Sequence, residues 1–389
     1  MAKPPELTIM IPCLNEAETI GRCIRAAQKG AVLAKAAGYE VVIVDNGSAD
    51  HSATIARELG ARVVDVHVRG YGAALLGGIQ AAGGKYVIMG DGDGSYDFSQ
   101  LQPFLEKLRE GAHLVMGTRM RGEIRRQAMP WLNRYVGNPV LTFIGNLLFR
   151  AAVSDFHCGM RGFDRQAVLG LALSTQGMEF ASEMVIKARL AGLSLAEVPI
   201  VYYPDGRSRP PHLRPWRDGW RHLRFMLLFS PRWVFFYPGA TLFVLGGLLS
   251  IPLFFGPLRL GRVTLDVHSL LGGITVLIVG SILILMGVFA RLYASRVNLL
   301  PQSPRLDRIV QNFSLELGLV TGLLLIALGV GLYGYGLALW GQREFGPIRE
   351  YQATLRVVIA GTASAILGVE LFFSSFVFSL LGREWSGQT

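Results

Sequence analysis

Residues 86–94 read Tyr86-Val87-Ile88-Met89-Gly90-Asp91-Gly92-Asp93-Gly94, and this stretch decides the fold. The apolar run predicts a buried strand, and the small and acidic residues behind it predict a loop at that strand's C-terminal end. Two carboxylates two positions apart on such a loop can share a hard divalent cation, which bridges diphosphate oxygens. Alone the pattern is weak, because Gly/Asp loops arise often by chance, so the flanking sequence has to carry it. Outward from it, short β-branched runs recur at Leu7 to Ile11, Glu40 to Val44, Ala61 to Val66 and Leu114 to Met116. Helical stretches lie between them, at Glu16 to Gly38, Ser52 to Gly60, Tyr71 to Gly83 and Phe98 to Glu110. This alternation predicts an α/β fold with a mostly parallel sheet covered on both faces. Such sheets bind ligands outside the carboxyl ends of their strands, where Asp91 and Asp93 emerge.

The other strand ends have the same character. Ile11-Pro12-Cys13-Leu14-Asn15-Glu16 follows the first strand, and Val44-Asp45-Asn46-Gly47-Ser48-Ala49-Asp50 follows the second. Their carboxylates can accept hydrogen bonds from a ribose hydroxyl or a base edge, while Asp50 is better placed to cap the next helix. Gly70-Tyr71-Gly72-Ala73-Ala74 then opens a helix and offers backbone donors. A dinucleotide fingerprint is excluded because Leu75 stands where its third glycine belongs, and no Walker A pattern occurs. Cys13, Cys23 and Cys158 form no CxxC pair or disulfide framework, and the seven histidines show no metal-ligand spacing. The N-terminus shows no signal peptide, so the expectation is that the globular part stays in a reducing cytoplasm.

At 389 residues the chain exceeds one ordinary domain, and its mean hydropathy of +0.38 is high for a wholly soluble protein. The apolar excess sits in the second part. Residues 1–225 read as globular, and 226–389 hold four spans near 234–255, 269–289, 315–340 and 356–381, each long enough to cross a bilayer. The net charge of +10 suits nucleic acid, anionic lipid or phosphorylated ligands equally. Position separates them: the basic stretch Arg207 to Arg232, carrying Trp216, Trp220 and close to Trp233, directly precedes the first span, where headgroups select such residues. A membrane, with no nucleic acid, is the partner this implies. The connection holding Arg291, Arg296, Arg305 and Arg308 is more basic than those around Arg259 and Arg262 or around Arg343 and Arg349, which puts it on the cytoplasmic side.

Ile11 to Glu16, Val44 to Asp50, Arg69 to Gly78 and Asp91 to Asp97, in that order, resemble the nucleotide-binding core of family 2 inverting glycosyltransferases. Asp155-Phe156-His157-Cys158-Gly159-Met160-Arg161-Gly162-Phe163 and Glu197-Val198-Pro199 resemble the branch of dolichyl- and polyprenyl-phosphate mannose and glucose synthases. The resemblance implies a GT-A catalytic domain followed by an α-helical transmembrane domain, with Mg²⁺ or Mn²⁺ held at Asp91 and Asp93. It implies a nucleotide sugar seated by Pro12, Leu14, Glu16, Asp45, Asn46, Gly72, Asp91, Gly92 and Asp93, and a polyprenyl-phosphate lipid acceptor in a bacterial or archaeal cell membrane. Asn46 departs from the more frequent Asp, and Ser95 stands where some relatives carry a metal-touching Gln. Homo-oligomerisation is left open.

A lipid phosphate with a second pKa of about 6 is already a nucleophilic anion at neutral pH, so cations that hold it matter more than a general base. Arg119, Arg134 and the turn Gly206-Arg207-Ser208-Arg209 are the candidates, since guanidinium groups bind phosphate oxygens bidentately. Asp155 is placed in the catalytic centre with Asp93 and Arg119; orienting the sugar, stabilising the anomeric carbon and fixing an acceptor arginine are the roles open to it. Arg125, Arg126 and Arg161 are expected on a solvated or headgroup-facing surface. Glu179 and Glu183 could orient sugar hydroxyls or serve as caps and salt bridges. Two other readings compete: a processive polysaccharide synthase, for which Phe229-Ser230-Pro231-Arg232-Trp233 lacks the Gln of a QxxRW pattern, and a non-enzymatic nucleotide-sensing scaffold.

Overall fold

The computed structural model describes residues 4–208, 215–297, 299–300, 314–342, 344–346 and 351–382. They form two compact units that divide between Leu228 and Phe229. Arg209, and Arg305, Arg308, Arg343 and Arg349 of the loop-charge argument, lie outside the described residues.

The first unit is built on a seven-stranded sheet of order β3-β2-β1-β4-β6-β5-β7. Its strands are β1 Leu7–Cys13, β2 Tyr39–Asp45, β3 Arg62–Asp65, β4 Tyr86–Met89, β5 Leu114–Ile124, β6 Arg161–Asp164 and β7 Leu195–Tyr202. Neighbours pair parallel except at β6, which runs antiparallel to both β4 and β5. Leu7 to Ile11 of β1 are fully buried, as expected of a strand with helices on both faces. β1 lies between β2 and β4, so the winding direction reverses there and the loops after β1 and β4 part into a crevice.

The helices are α1 Ile20–Leu33, α2 Ser52–Glu58, α3 Tyr71–Ala81, α4 Gln102–Arg109, α5 Asn138–Phe149, α6 Arg165–Leu169, α7 Phe180–Leu190 and α8 Pro215–Leu228. α1 starts later than the sequence pattern predicts because the chain after β1 is drawn to the β2 loop. Asn15 adopts a left-handed φ of 58°, donates its N–H to Ser48 Oγ at 2.9 Å and accepts the Ala49 N–H at 2.7 Å. Gly70 and Gly72 admit the segment 175–177, for a Cβ on either would overlap the carbonyl of Gln176 or Thr175.

Arg161 corrects the surface expectation. It is fully buried, and its guanidinium donates to the carbonyls of Cys158 at 2.8 Å, Ala181 at 2.6 Å and Phe156 at 3.2 Å. Three carbonyls replace its hydration, which makes burial tolerable and ties the turn 156–158 to α7.

The second unit has four helices long and apolar enough to cross a membrane, Arg232–Phe255, Val267–Arg296, Leu315–Gly341 and Tyr351–Leu381, with mean hydropathy between 1.8 and 2.5. A short hairpin, Leu258–Leu260 with Val263–Leu265, joins the first two. Glycines recur every seventh residue at Gly239 and Gly246; Gly273, Gly280 and Gly287; Gly322, Gly329 and Gly336; and Gly361 and Gly368. Gly239 faces Gly280, Gly246 faces Gly273, Gly322 faces Gly368 and Gly329 faces Gly361. A Cβ on Gly246 would stand 2.5 Å from the Leu277 nitrogen, and one on Gly368 would stand 2.7 Å from the Gly322 carbonyl. Without a hydrophobic driving force between helices in lipid, such close backbone approach supplies the packing.

Candidate active site

The crevice gathers the carboxylates. After β4, Asp91 accepts the Tyr71 hydroxyl at 2.9 Å, while Asp93 Oδ1 accepts the Ser95 N–H at 2.9 Å and its hydroxyl at 2.6 Å. Between them the Gly92 carbonyl is fixed by the Thr19 hydroxyl at 2.7 Å. Burial first, and then Asp93, push the Asp91 carboxyl up to about 6 against the pull of Tyr71, Arg207 and Arg119. From the segment behind β7, Arg207 donates to Asp93 Oδ2 at 2.9 Å, to Glu16 Oε1 at 3.2 Å and to Asp205 at 3.2 Å.

Arg119, midway along β5, meets Asp155 in a buried bidentate pair, Nε to Oδ2 at 2.7 Å and Nη2 to Oδ1 at 2.8 Å. Its own N–H also donates to Asp155 Oδ2 at 3.2 Å. Burial works to raise the Asp155 carboxyl, but Arg119 outweighs it and holds that carboxyl below the usual range. At 0 % exposure, with both oxygens taken by Arg119, Asp155 cannot touch a sugar. Of the contacts its three candidate roles would need, the one present is that with Arg119, whose guanidinium it fixes. The Arg119 guanidinium lies 5.3 Å from the centre of the Tyr202 ring, and Tyr202 stacks with Tyr96 at 5.2 Å.

The remaining site residues divide. Asp45 Oδ2 accepts the N–H groups of Gly47 and Ser48, while its Oδ1 is buried without a hydrogen-bond partner. Asn46 is occupied: its amide donates to the carbonyls of Val66 at 2.9 Å and Val68 at 2.7 Å and accepts the Gly70 N–H at 2.8 Å. An Asp there would lack both donors, so the departure from the commoner residue has a structural reason. Pro12 and Leu14 flank the end of β1 beside this loop. Gly72 serves the packing of 175–177. Ser208 gives both its N–H and its hydroxyl to Glu18, which removes it from phosphate binding. Arg134 lies in the π-helical turn Asn133–Gly137, 5.4 Å over the Tyr135 ring, and among the described residues no hydrogen bond or ion pair joins it to the Arg119 pair. Glu183 is a clamp, accepting from Ser174 and Thr175 and pairing with Lys187 at 2.8 Å. Thr19 and the Tyr71 hydroxyl, which orient the acidic loop from 73 and 20 residues away, have no signal in the sequence that ties them to it.

The residues fit a divalent cation. Asp91 and Asp93 leave one loop two positions apart and stand in one another's field, and burial, ahead of that field, raises the Asp91 carboxyl. Among the described residues no group of three or more His, Cys, Asp or Glu side chains could hold an ion. A cation that takes one or two carboxylates and completes its shell with phosphate oxygens and water needs no such group.

Residues 8–170 match the model of glycosyl transferase family 2, and residues 288–382 match that of the glycosyltransferase family 2 C-terminal transmembrane region. The chain is 35% identical to the low-salt glycan biosynthesis hexosyltransferase Agl6 of Haloferax volcanii over 97% of this chain and 90% of that protein. It is 31% identical to a dolichyl-phosphate hexose transferase of the same organism, over 51% of this chain and 82% of that one. Among solved structures it is similar to glucosyl-3-phosphoglycerate synthase from Mycobacterium tuberculosis in complex with Mn²⁺, UDP and glucosyl-3-phosphoglycerate. That likeness is 23% identity over 58% of this chain and 79% of the other, with a TM-score of 0.45. The chain belongs to the family 2 glycosyltransferases, a membrane protein with a GT-A catalytic unit followed by a C-terminal transmembrane region.

Proposed function

We propose that this glycosyltransferase moves a hexose from a nucleoside diphosphate sugar onto polyprenyl phosphate, with inversion at the anomeric carbon, at the cytoplasmic face of a cell membrane. The observation that carries the reading is the meeting at one crevice of the Asp91–Asp93 loop with Arg119, whose charge acts on Asp91, in a chain with four helices long and apolar enough to cross a membrane. The names of the two Haloferax relatives support the hexose, and one of them supports the lipid phosphate.

On this reading the orphan Asp45 Oδ1 accepts a base N–H or a ribose hydroxyl, since a buried carboxylate oxygen gains from any donor a ligand brings. When bound, Mg²⁺ or Mn²⁺ on Asp91 and Asp93 would neutralise charge on the departing nucleoside diphosphate. Arg119, aligned by Asp155, holds an acceptor phosphate oxygen in line with the anomeric carbon, so positioning and charge neutralisation carry the rate. The phosphate is anionic without help, so the transfer asks no general base of the crevice.

Membranes bearing the protein, given labelled nucleotide sugar and polyprenyl phosphate, should yield labelled lipid, and Asp93→Ala or chelation by EDTA should abolish it. Unlabelled lipid under all conditions sinks the acceptor assignment. Full activity in EDTA removes the metal.

A further inference from the structure

Arg207 occupies an unexpected place for a residue of an acceptor-side basic turn. Its side chain is only 11% exposed and lies among Asp93, Glu16 and Asp205. Asp93 thereby has both oxygens engaged, Oδ1 by Ser95 and Oδ2 by Arg207. The guanidinium Nε, in contrast, is buried with no acceptor. The backbone carrying Arg207 is fastened to the loops it covers: Tyr203 N–H donates to the Ser95 carbonyl at 3.0 Å, Gly206 N–H to the Asp93 carbonyl at 2.9 Å, and Ser208 N–H to Glu18 at 2.8 Å. A side-chain rotation can therefore withdraw the guanidinium without lifting the segment.

Building on the metal reading above, we propose that Arg207 is a resident counter-cation: it sits on Asp93 and Glu16 in the ligand-free enzyme and must leave Asp93 when a divalent ion is bound. Two cations cannot share the Asp93 oxygen cheaply, because like charges at contact distance repel strongly in a partly buried setting. The enzyme without donor is thus kept assembled but resistant to free metal. A nucleoside diphosphate changes the balance, since it brings anionic oxygens both to the ion and to the displaced guanidinium. Metal and nucleotide then bind as one coupled event.

The test uses the full-length protein in detergent and Mn²⁺ as probe, with bound ion read from loss of the free-Mn²⁺ paramagnetic resonance signal, with and without UDP or GDP. Wild type should bind Mn²⁺ alone weakly, and Arg207→Met should bind it at least about fivefold more tightly, within the usual range of site coupling. Arg207→Lys, which keeps the charge, should stay near wild type. Asp205→Asn, which loosens the guanidinium without touching Asp93, should shift affinity in the Met direction and keeps the test alive if Arg207→Met does not fold. Unchanged or weaker Mn²⁺ affinity in Arg207→Met and Asp205→Asn overturns the counter-cation while leaving the metal reading standing. No Mn²⁺ binding by any variant, even with nucleotide, overturns both.

Discussion

At the residue scale, the pair Arg119 and Asp155 shows how a buried charge acquires its meaning from its partner. Neither residue is tolerable alone at that depth, so Asp155→Ala should destabilise the catalytic unit by about 3–5 kcal/mol, and Arg119→Met should do the same. The double variant should lose far less than the sum, because no uncompensated charge is left. Melting temperatures of the three proteins decide it, and additive losses would mean the pair is not a unit. The sequence pattern around Asp155 announced an important carboxylate, but a residue type does not state which oxygen meets which donor. Asn46 teaches the same: its position beside Asp45 suggested ligand contact, while its amide closes the loop 66–70. Arg161 could not be read as interior at all, since the turn 156–158 must fold back on it and Ala181, twenty residues on, must approach before its three carbonyls replace water.

At the element scale, β1 and β4 were legible because they are buried on both faces and show as apolar runs. β6 was not, because Arg161-Gly162-Phe163-Asp164 carries no such run and is a strand only through its neighbours β4 and β5. Helix α8 is held to the catalytic unit partly through His222, 6% exposed, whose Nδ1 lies 2.9 Å from the Ser182 hydroxyl, itself 3.2 Å from His157 Nε2. Burial pushes His222 down to about 4, against Asp218 and helped by Arg161. The unfolded chain takes up this proton near about 6.5 while the native one waits until about 4, so native stability drops as pH falls through that window. The loss amounts to about 3 kcal/mol by the low end. His222→Gln, which keeps a polar group but cannot titrate, should flatten the fall in melting temperature between pH 7 and 4.5; an unchanged slope would clear His222 of it.

At the scale of the whole molecule, two units with different physics share one chain. The first is held by a two-faced sheet and buried ion pairs, the second by helices that meet where side chains are missing. The four spans were plain in the sequence from length and hydropathy; the sevenfold glycine spacing, though present in the letters, was hidden by an apolar background that gives every span the same texture. Its weight can be measured. Gly329→Leu should cost about 1–3 kcal/mol by overpacking and lower the detergent melting temperature, since a Cβ there would meet Gly361 and Ala365. Gly331→Leu should be silent, for nothing lies within 4 Å of its Cβ position. Equal effects would deny the glycines their part.

The glycine contacts join the first span to the second and the third to the fourth, always neighbours along the chain. Each pair can thus zip together from local contacts alone, which form fast because little loop entropy is lost. Insertion during synthesis would then proceed as two successive hairpins, with the later docking of Ser281 against Glu370, 2.7 Å apart, joining one finished hairpin to the other.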